Sequence, residues 1–213
     1  MPWDILDEDC SDITDWTDGD VGDAVSSVNP AGQFEFDSNT GYALRIRDIG
    51  SFPNTFTYEI KLYCDLVGAY ANDDYFNINC RQADERLHVA FCSDGLFIND
   101  TDSGWTEVGT NLVKTSGSAE WQTWRFLVTF GTVGEGVCDV YLNDSTHSWE
   151  KVGTAIPCST VAAFTEGETT LVLYTTTTNY LITHVDYVKI ATGLTTPTVA
   201  GIMTTNTGYW GSV

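Results

Sequence analysis

Positive charge is the scarcest commodity of this 213-residue sequence: 9 Lys and Arg stand against 30 Asp and Glu, a formal charge of −21. A surface that acidic repels phosphate backbones and anionic headgroups, which argues against nucleic acid as a partner. Long apolar runs are missing as well, so no membrane insertion is expected. The opening MPWDILDEDC has neither a basic n-region nor an apolar h-region, and no secretory signal is read there. There is no C-x-x-C to suggest a zinc site, no G-x-S-x-G for a serine nucleophile and no H-E-x-x-H. A phosphate-cradling glycine loop is also absent, and the three histidines, His88, His147 and His184, are scattered. Nor does any segment sustain a helical period.

What is present is apolar alternation. Hydrophobic residues make up 42% and aromatics 13% of the chain, enough for a sizeable core in one domain. Short alternating stretches (QFEFD, YALRIR, FTYEIKLYC, LHVAFC, WQTWRFLVTF, VCDVYLN, TLVLY) are separated by Gly, Asn, Asp and Pro. Many short strands with frequent turn signals predict an all-β, two-sheet antiparallel sandwich. Tyr75–Cys80 and Leu87–Cys92 are expected to pair as a hairpin, and Gly95 is expected to supply positive φ in the turn after it. Strand parity puts Cys64, Cys80 and Cys138 on apolar faces as small hydrophobes, while Cys10, Cys92 and Cys158 are left as candidates for pairing. WTEVGT at 105–110 recurs as WEKVGT at 149–154, each following a strand that ends in Asn-Asp, which reads as a repeated hairpin.

The last strand, LITHVDYVKI, alternates so that Ile182, His184, Asp186, Val188 and Ile190 share one face. A carboxylate on a face with Val188 and Ile190 needs a partner, and a bound cation is one of the few good ones. HVDYVKI resembles the closing strand of the concanavalin A-like jelly rolls, which include laminarinase-type glucanases and laminin-G-like modules. The order of SDGLFIND, the W-x-x-W-R-F strand, DVYLND and HVDYVKI extends that resemblance over roughly 34–194. It implies a jelly roll, and it implies Asp186 as a ligand of a structural Ca2+. The glucanases also carry E-x-D-x-x-E, whose carboxylates flank the scissile bond. The nearest match here, Glu35 to Thr40, has Thr40 in place of the second Glu, so the chain reads as a non-catalytic member and not an enzyme.

Three regions follow: an acidic segment over 1–20 wrapping the sandwich, with Trp16 plugging one end of the core; the β-sandwich over 21–194; and an uncharged extended arm over 195–213. The arm's apolar anchors are Ile202, Met203, Tyr209 and Trp210. Such a segment suits docking on a neighbouring subunit, with packing on its own domain and a frayed tail as the alternatives. Trp105 and Trp149 lie in polar loop-rich surroundings and are candidate sugar-stacking residues, together with the cluster Tyr70, Asp73, Asp74 and Tyr75. These features lead to the expectation of a non-enzymatic structural protein. It would be a homo-oligomer, or would assemble with other structural subunits, as a virion decoration, tail or fibre component. Its place would be a virion or extracellular surface reached without a visible signal peptide, where it touches surface glycans. A stand-alone carbohydrate-binding module is the alternative, and a polysaccharide hydrolase or lyase the third reading.

Overall fold

The computed structural model describes residues 3–69, 74–82, 85–100, 104–130, 136–159, 167–176 and 180–198. In chain order these residues form β1 (Leu6–Glu8), β2 (Thr17–Asp18), β3 (Val21–Gly22), β4 (Val25–Val28), β5 (Phe34–Ser38), β6 (Gly41–Gly50), β7 (Thr55–Leu66) and β8 (Tyr75–Gln82). They continue with β9 (Glu85–Cys92), β10 (Gly95–Asp100), β11 (Gly104–Thr110), β12 (Gln122–Thr129), β13 (Gly136–Asn143), β14 (Glu150–Ser159), β15 (Gly167–Thr175) and β16 (Leu181–Thr192). No helix occurs among the described residues.

The strands make two antiparallel sheets of eight, the sandwich that the alternation predicts. Sheet A runs β14-β13-β12-β7-β16-β5-β4, with β1 beside β16; sheet B runs β11-β10-β9-β8-β15-β6-β2, with β3 beside β6. Neighbours distant in sequence, such as β7 with β16 and β8 with β15, give the jelly-roll connectivity. The acidic N-terminal segment contributes β1 to sheet A and β2 to sheet B.

Between the sheets lies one apolar layer. Trp124, Phe126 and Val128 from β12 meet Phe76, Ile78 and Phe91 from the opposite sheet, and all six are fully buried. Each such side chain contributes roughly 1.5–3 kcal/mol by leaving water. Trp16 plugs one end, 3% exposed and edge-on to Phe34 at 5.6 Å, with its indole N–H donating to Glu8 at 3.0 Å.

Three local expectations are corrected. All six cysteines are free and buried, so Cys10, Cys92 and Cys158 do not pair. Burial pushes the Cys64 and Cys158 thiols up to about 12, where they stay protonated and unreactive. Gly95 does not take positive φ. It pairs with Cys92 and Thr110, and a Cβ there would sit 3.0 Å from the Gly109 carbonyl, so close approach is what requires glycine. Finally, β16 does not keep one parity. A β-bulge between Val185 and Tyr187 lets Asp186 slip out of register with β7, so Thr183, Val185, Val188 and Ile190 all face the core. His184 and Asp186 are half-buried on the outer surface of sheet A, because one inserted residue exchanges the two faces of a strand.

Candidate functional site

The outer faces of the two sheets carry different chemistry. On sheet B, Phe76, Ile78 and Cys80 of β8 and Leu87, Val89 and Phe91 of β9 point into the core. Period-two alternation therefore turns Tyr75, Asn77 and Asn79, and likewise His88 and Ala90, outward. Register then assembles residues far apart in sequence. Asn79 opposes His88, His88 opposes Asn99, and Asn99 opposes Trp105, one row across four strands. The next row holds Val172, Asn77, Ala90 and Phe97, and the one beyond it Tyr42, Tyr174 and Tyr75.

Aromatic rings link these rows. Trp105 packs edge-on to His88 at 4.6 Å and lies 6.3 Å from Tyr75. Tyr75 continues to Tyr174 at 5.7 Å, and Tyr174 to Tyr42 at 6.3 Å. To reach both His88 and Tyr75 the indole must cross the middle row, where Ala90 is fully buried although it faces away from the core. Two amide oxygens on this face, Asn77 Oδ1 and Asn79 Oδ1, are buried without a hydrogen-bond partner. Asp74, at the head of β8, is fully buried and ties the end of β15 to it, accepting from Thr175 Oγ1 at 2.6 Å and the Thr176 N–H at 3.2 Å.

Ion pairs dominate the outer face of sheet A, beside a smaller ring cluster in which Tyr63 lies 5.6 Å from Trp121 and 6.1 Å from His184. Arg125 donates from Nε to Glu59 at 2.6 Å and pairs with it a second time through Nη2, and Tyr187 donates to the same carboxylate at 2.9 Å. Burial first, and the Glu59 charge next, raise the Tyr187 phenol well above its ordinary range. Trp149 covers the guanidinium at 4.6 Å, with Trp3 at 5.8 Å. Nη1 of Arg125 donates to the Thr195 carbonyl at 3.2 Å, so the chain after β16 crosses this face.

The predicted site residues thus divide. Trp105 and Tyr75 meet on sheet B, Trp149 sits over Arg125 on sheet A, and Asp74 is enclosed between strand ends. Tyr70 and Asp73 lie outside the described residues, as do Ile202, Met203, Tyr209 and Trp210 of the arm. Sequence reasoning missed His88, Asn77 and Asn79. The signal was in YFNINC and LHVAFC, where the polar residues alternate with core residues on adjacent strands. Asp186 does not fit the calcium role as it stands. Its Oδ2 accepts from Lys61 at 2.8 Å, which already supplies the counter-charge. No group of three or more His, Cys, Asp or Glu side chains converges on a common point among the described residues.

No family model and no curated relative matches the chain. Solved structures do. An endo-β-1,4-glucuronan lyase from the fungus Trichoderma reesei superposes with a TM-score of 0.62 at 12% identity, over 91% of this chain and 97% of its own. The cellulose-induced protein Cip1 gives 0.59 at 14%, over 89% and 100%. A marine PL-14 alginate lyase from Aplysia kurodai gives 0.56 at 9%, over 87% and 92%. At such identities the likeness establishes the β-sandwich jelly roll. It also overturns two expectations, that of a non-enzyme and that of a virion component. Three of the proteins that match over nearly their whole length are named as polysaccharide lyases, which counts against both expectations.

Proposed function

We propose that the chain acts on a polysaccharide bound across the outer face of sheet B, as a lyase that cleaves a uronate-containing chain by β-elimination. The observation that carries this reading is the Trp105 indole in contact with both His88 and Tyr75 on that face. It brings an imidazole, a phenol and a sugar-stacking ring together beside a row of amides. The whole-length likeness to lyases named for glucuronan and alginate supports the same substrate class.

The chemistry follows from those groups. Neutral His88 takes the proton at C5 of the uronate, Tyr75 gives its proton to the glycosidic oxygen at C4, and the C4–O bond breaks as a C4–C5 double bond forms. No water is consumed, and one chain becomes a saturated and an unsaturated fragment. Asn99, beside His88 in the row, offers amide N–H donors to the uronate carboxylate, whose charge must be offset before the C5 proton becomes acidic. Hydrolysis would need two carboxylates flanking the bond. The segment that came nearest to such a pair, Glu35 and Asp37, is on β5 of the other sheet, where Glu35 accepts from Asn29 and Asp37 from Tyr180.

The test is incubation of the full chain with β-1,4-glucuronan and with alginate, following the ultraviolet absorbance of the unsaturated uronyl end. Absorbance that rises with wild type, and is lost in His88→Ala and in Tyr75→Phe at unchanged melting temperature, supports the reading. Reducing ends appearing without that absorbance would mean hydrolysis, and neither signal with any uronan would overturn it.

A further inference from the structure

The two orphaned amide oxygens say more than that a polysaccharide binds. Buried polar atoms in folded proteins almost always have a partner, and one that does not needs a specific explanation. Asn77 is only 5% exposed, yet its Oδ1 has no hydrogen-bond partner, and the same is true of Asn79 Oδ1 two residues along β8. Both residues project away from the core, from the strand that also carries Tyr75. An amide oxygen accepts and never donates. The missing partners are therefore O–H or N–H donors, and a carboxylate cannot be one of them.

Beside Asn77 in register stands Ala90, whose single methyl leaves a hollow in the middle of the face. The Trp105 indole, touching His88 on one side and Tyr75 on the other, spans the Ala90 row between them, and Ala90 is fully covered. It belongs to the strand at the edge of sheet B, next to Gly104 at φ 82, where a side chain can turn aside without disturbing the core. Moved off Ala90, the ring would uncover this row and present a flat apolar face beside it.

We propose that Asn77 and Asn79 are the specificity-determining residues of this face, accepting hydrogen bonds from free ring hydroxyls of the sugar that displaces Trp105 from the hollow over Ala90. This rests on the polysaccharide-lyase reading and adds its selectivity: the sugar must carry unesterified hydroxyls. An O-acetyl group there has no proton to donate, so the two acceptors would stay buried and unsatisfied. Recognition through buried polar groups discriminates strongly for that reason.

The test compares glucuronan with the same polymer after O-acetylation, using wild type, Asn77→Leu, Asn79→Leu and Asn79→Asp. The expected result is a KM more than about tenfold higher for the acetylated polymer, and a similar rise for each leucine variant on the free polymer, with kcat nearly unchanged. Asn79→Asp keeps an acceptor and loses the amide N–H donors. On carboxyl-reduced glucuronan, a neutral polymer, it should still favour the free polymer over its O-acetylated form. Equal KM for acetylated and free polymer, or loss of the preference for free hydroxyls in Asn79→Asp, overturns the proposal while leaving the lyase reading intact. Failure of wild type to cleave or bind any of these polymers would remove the lyase reading itself. Should a leucine variant fail to fold, the comparison of polymers on wild type and the Asn79→Asp variant still decide.

Discussion

Sheets A and B share one core and turn outward two surfaces built on opposite rules. On sheet A most polar groups are closed on one another: Arg125 with Glu59 and Tyr187, Lys61 with Asp186, Lys151 with Asp139 at 2.7 Å and Lys189 with Asp7 at 3.0 Å, with His184 Nδ1 the exception. On sheet B, Asn77 and Asn79 leave acceptors open, and an imidazole and three tyrosines line up beside a tryptophan. A closed network stabilises its own fold and has little left to offer a ligand, whereas open acceptors cost stability that a ligand can return. Sheet A is accordingly read as scaffold and sheet B as the working face. Tryptophan count alone would have misled, since each face has its tryptophan at the same place in a repeated hairpin.

The largest effects should separate the faces by kind. On sheet B, His88→Ala and Tyr75→Phe should each lower kcat by about 10²–10⁴-fold, the usual share of a general acid or base, with the melting temperature scarcely moved. On sheet A the reverse holds. Glu59 and Arg125 are 7% and 12% exposed, so Arg125→Met strands a buried carboxylate and should cost about 3–5 kcal/mol of stability. Adding Glu59→Gln should recover most of that loss, because no charge is then left buried. Both are read from urea unfolding, and KM measured on the folded fraction should stay at the wild-type value. A raised KM in Arg125→Met would move part of the binding surface to sheet A.

The next effect in size is carried by acidity. Asp144, in the β13–β14 connection, accepts from Gln122 at 2.8 Å, from the Thr146 N–H at 2.8 Å and from the His147 N–H at 2.7 Å. Burial pushes its carboxyl upward, and those hydrogen bonds outweigh the push and hold it at about 2 against an ordinary 3.8. The folded value lies below the unfolded one, so the ionised form is the one that stabilises. That contribution, about 2 kcal/mol, is complete above pH 4 and fades as pH falls toward 2. Asp144→Asn should therefore unfold more easily at pH 7 and match wild type near pH 2. A constant gap across that range would show that packing, not charge, is lost.

The sandwich was legible because it rests on period-two alternation, which strands such as FTYEIKLYC and WQTWRFLVTF show without ambiguity. Faces were legible only where alternation runs unbroken. In β16 the inserted Asp186 exchanges inside for outside within one residue, and no composition signal marks a bulge. That put Asp186 on the core side and lent the calcium expectation its weight. The site was harder still. His88, Asn99 and Trp105 meet only through the register of three strands, a property of pairing between strands and not of any one of them. Asn77 and Asn79 look like ordinary outward residues until their oxygens are found buried. The absent second glutamate of E-x-D-x-x-E was read as the loss of one chemistry, and it carried no information about the different chemistry proposed on the opposite sheet.

The smallest effect is also the cleanest contrast, since it compares the two copies of one hairpin. WTEVGT lies within β11 of sheet B and WEKVGT runs into β14 of sheet A, each at the edge of its sheet. Trp105 lies against His88 and Tyr75, while Trp149 lies over Arg125, a cation already paired with Glu59. Removing Trp149 exposes that guanidinium and forfeits a cation–π contact of about 1 kcal/mol, so Trp149→Ala should lower the melting temperature by about 3 °C and leave KM alone. Trp105→Ala should raise KM by tenfold or so, because the ring that stacks on the sugar is gone, with a thermal shift no larger than that of its counterpart. If the two variants instead behaved alike in KM, the hairpins would be equivalent, and glycan would have to reach both faces. If neither moved KM, stacking would have to come from Tyr75, Tyr174 and Tyr42, and the Trp105 indole would be only the cover that the sugar displaces.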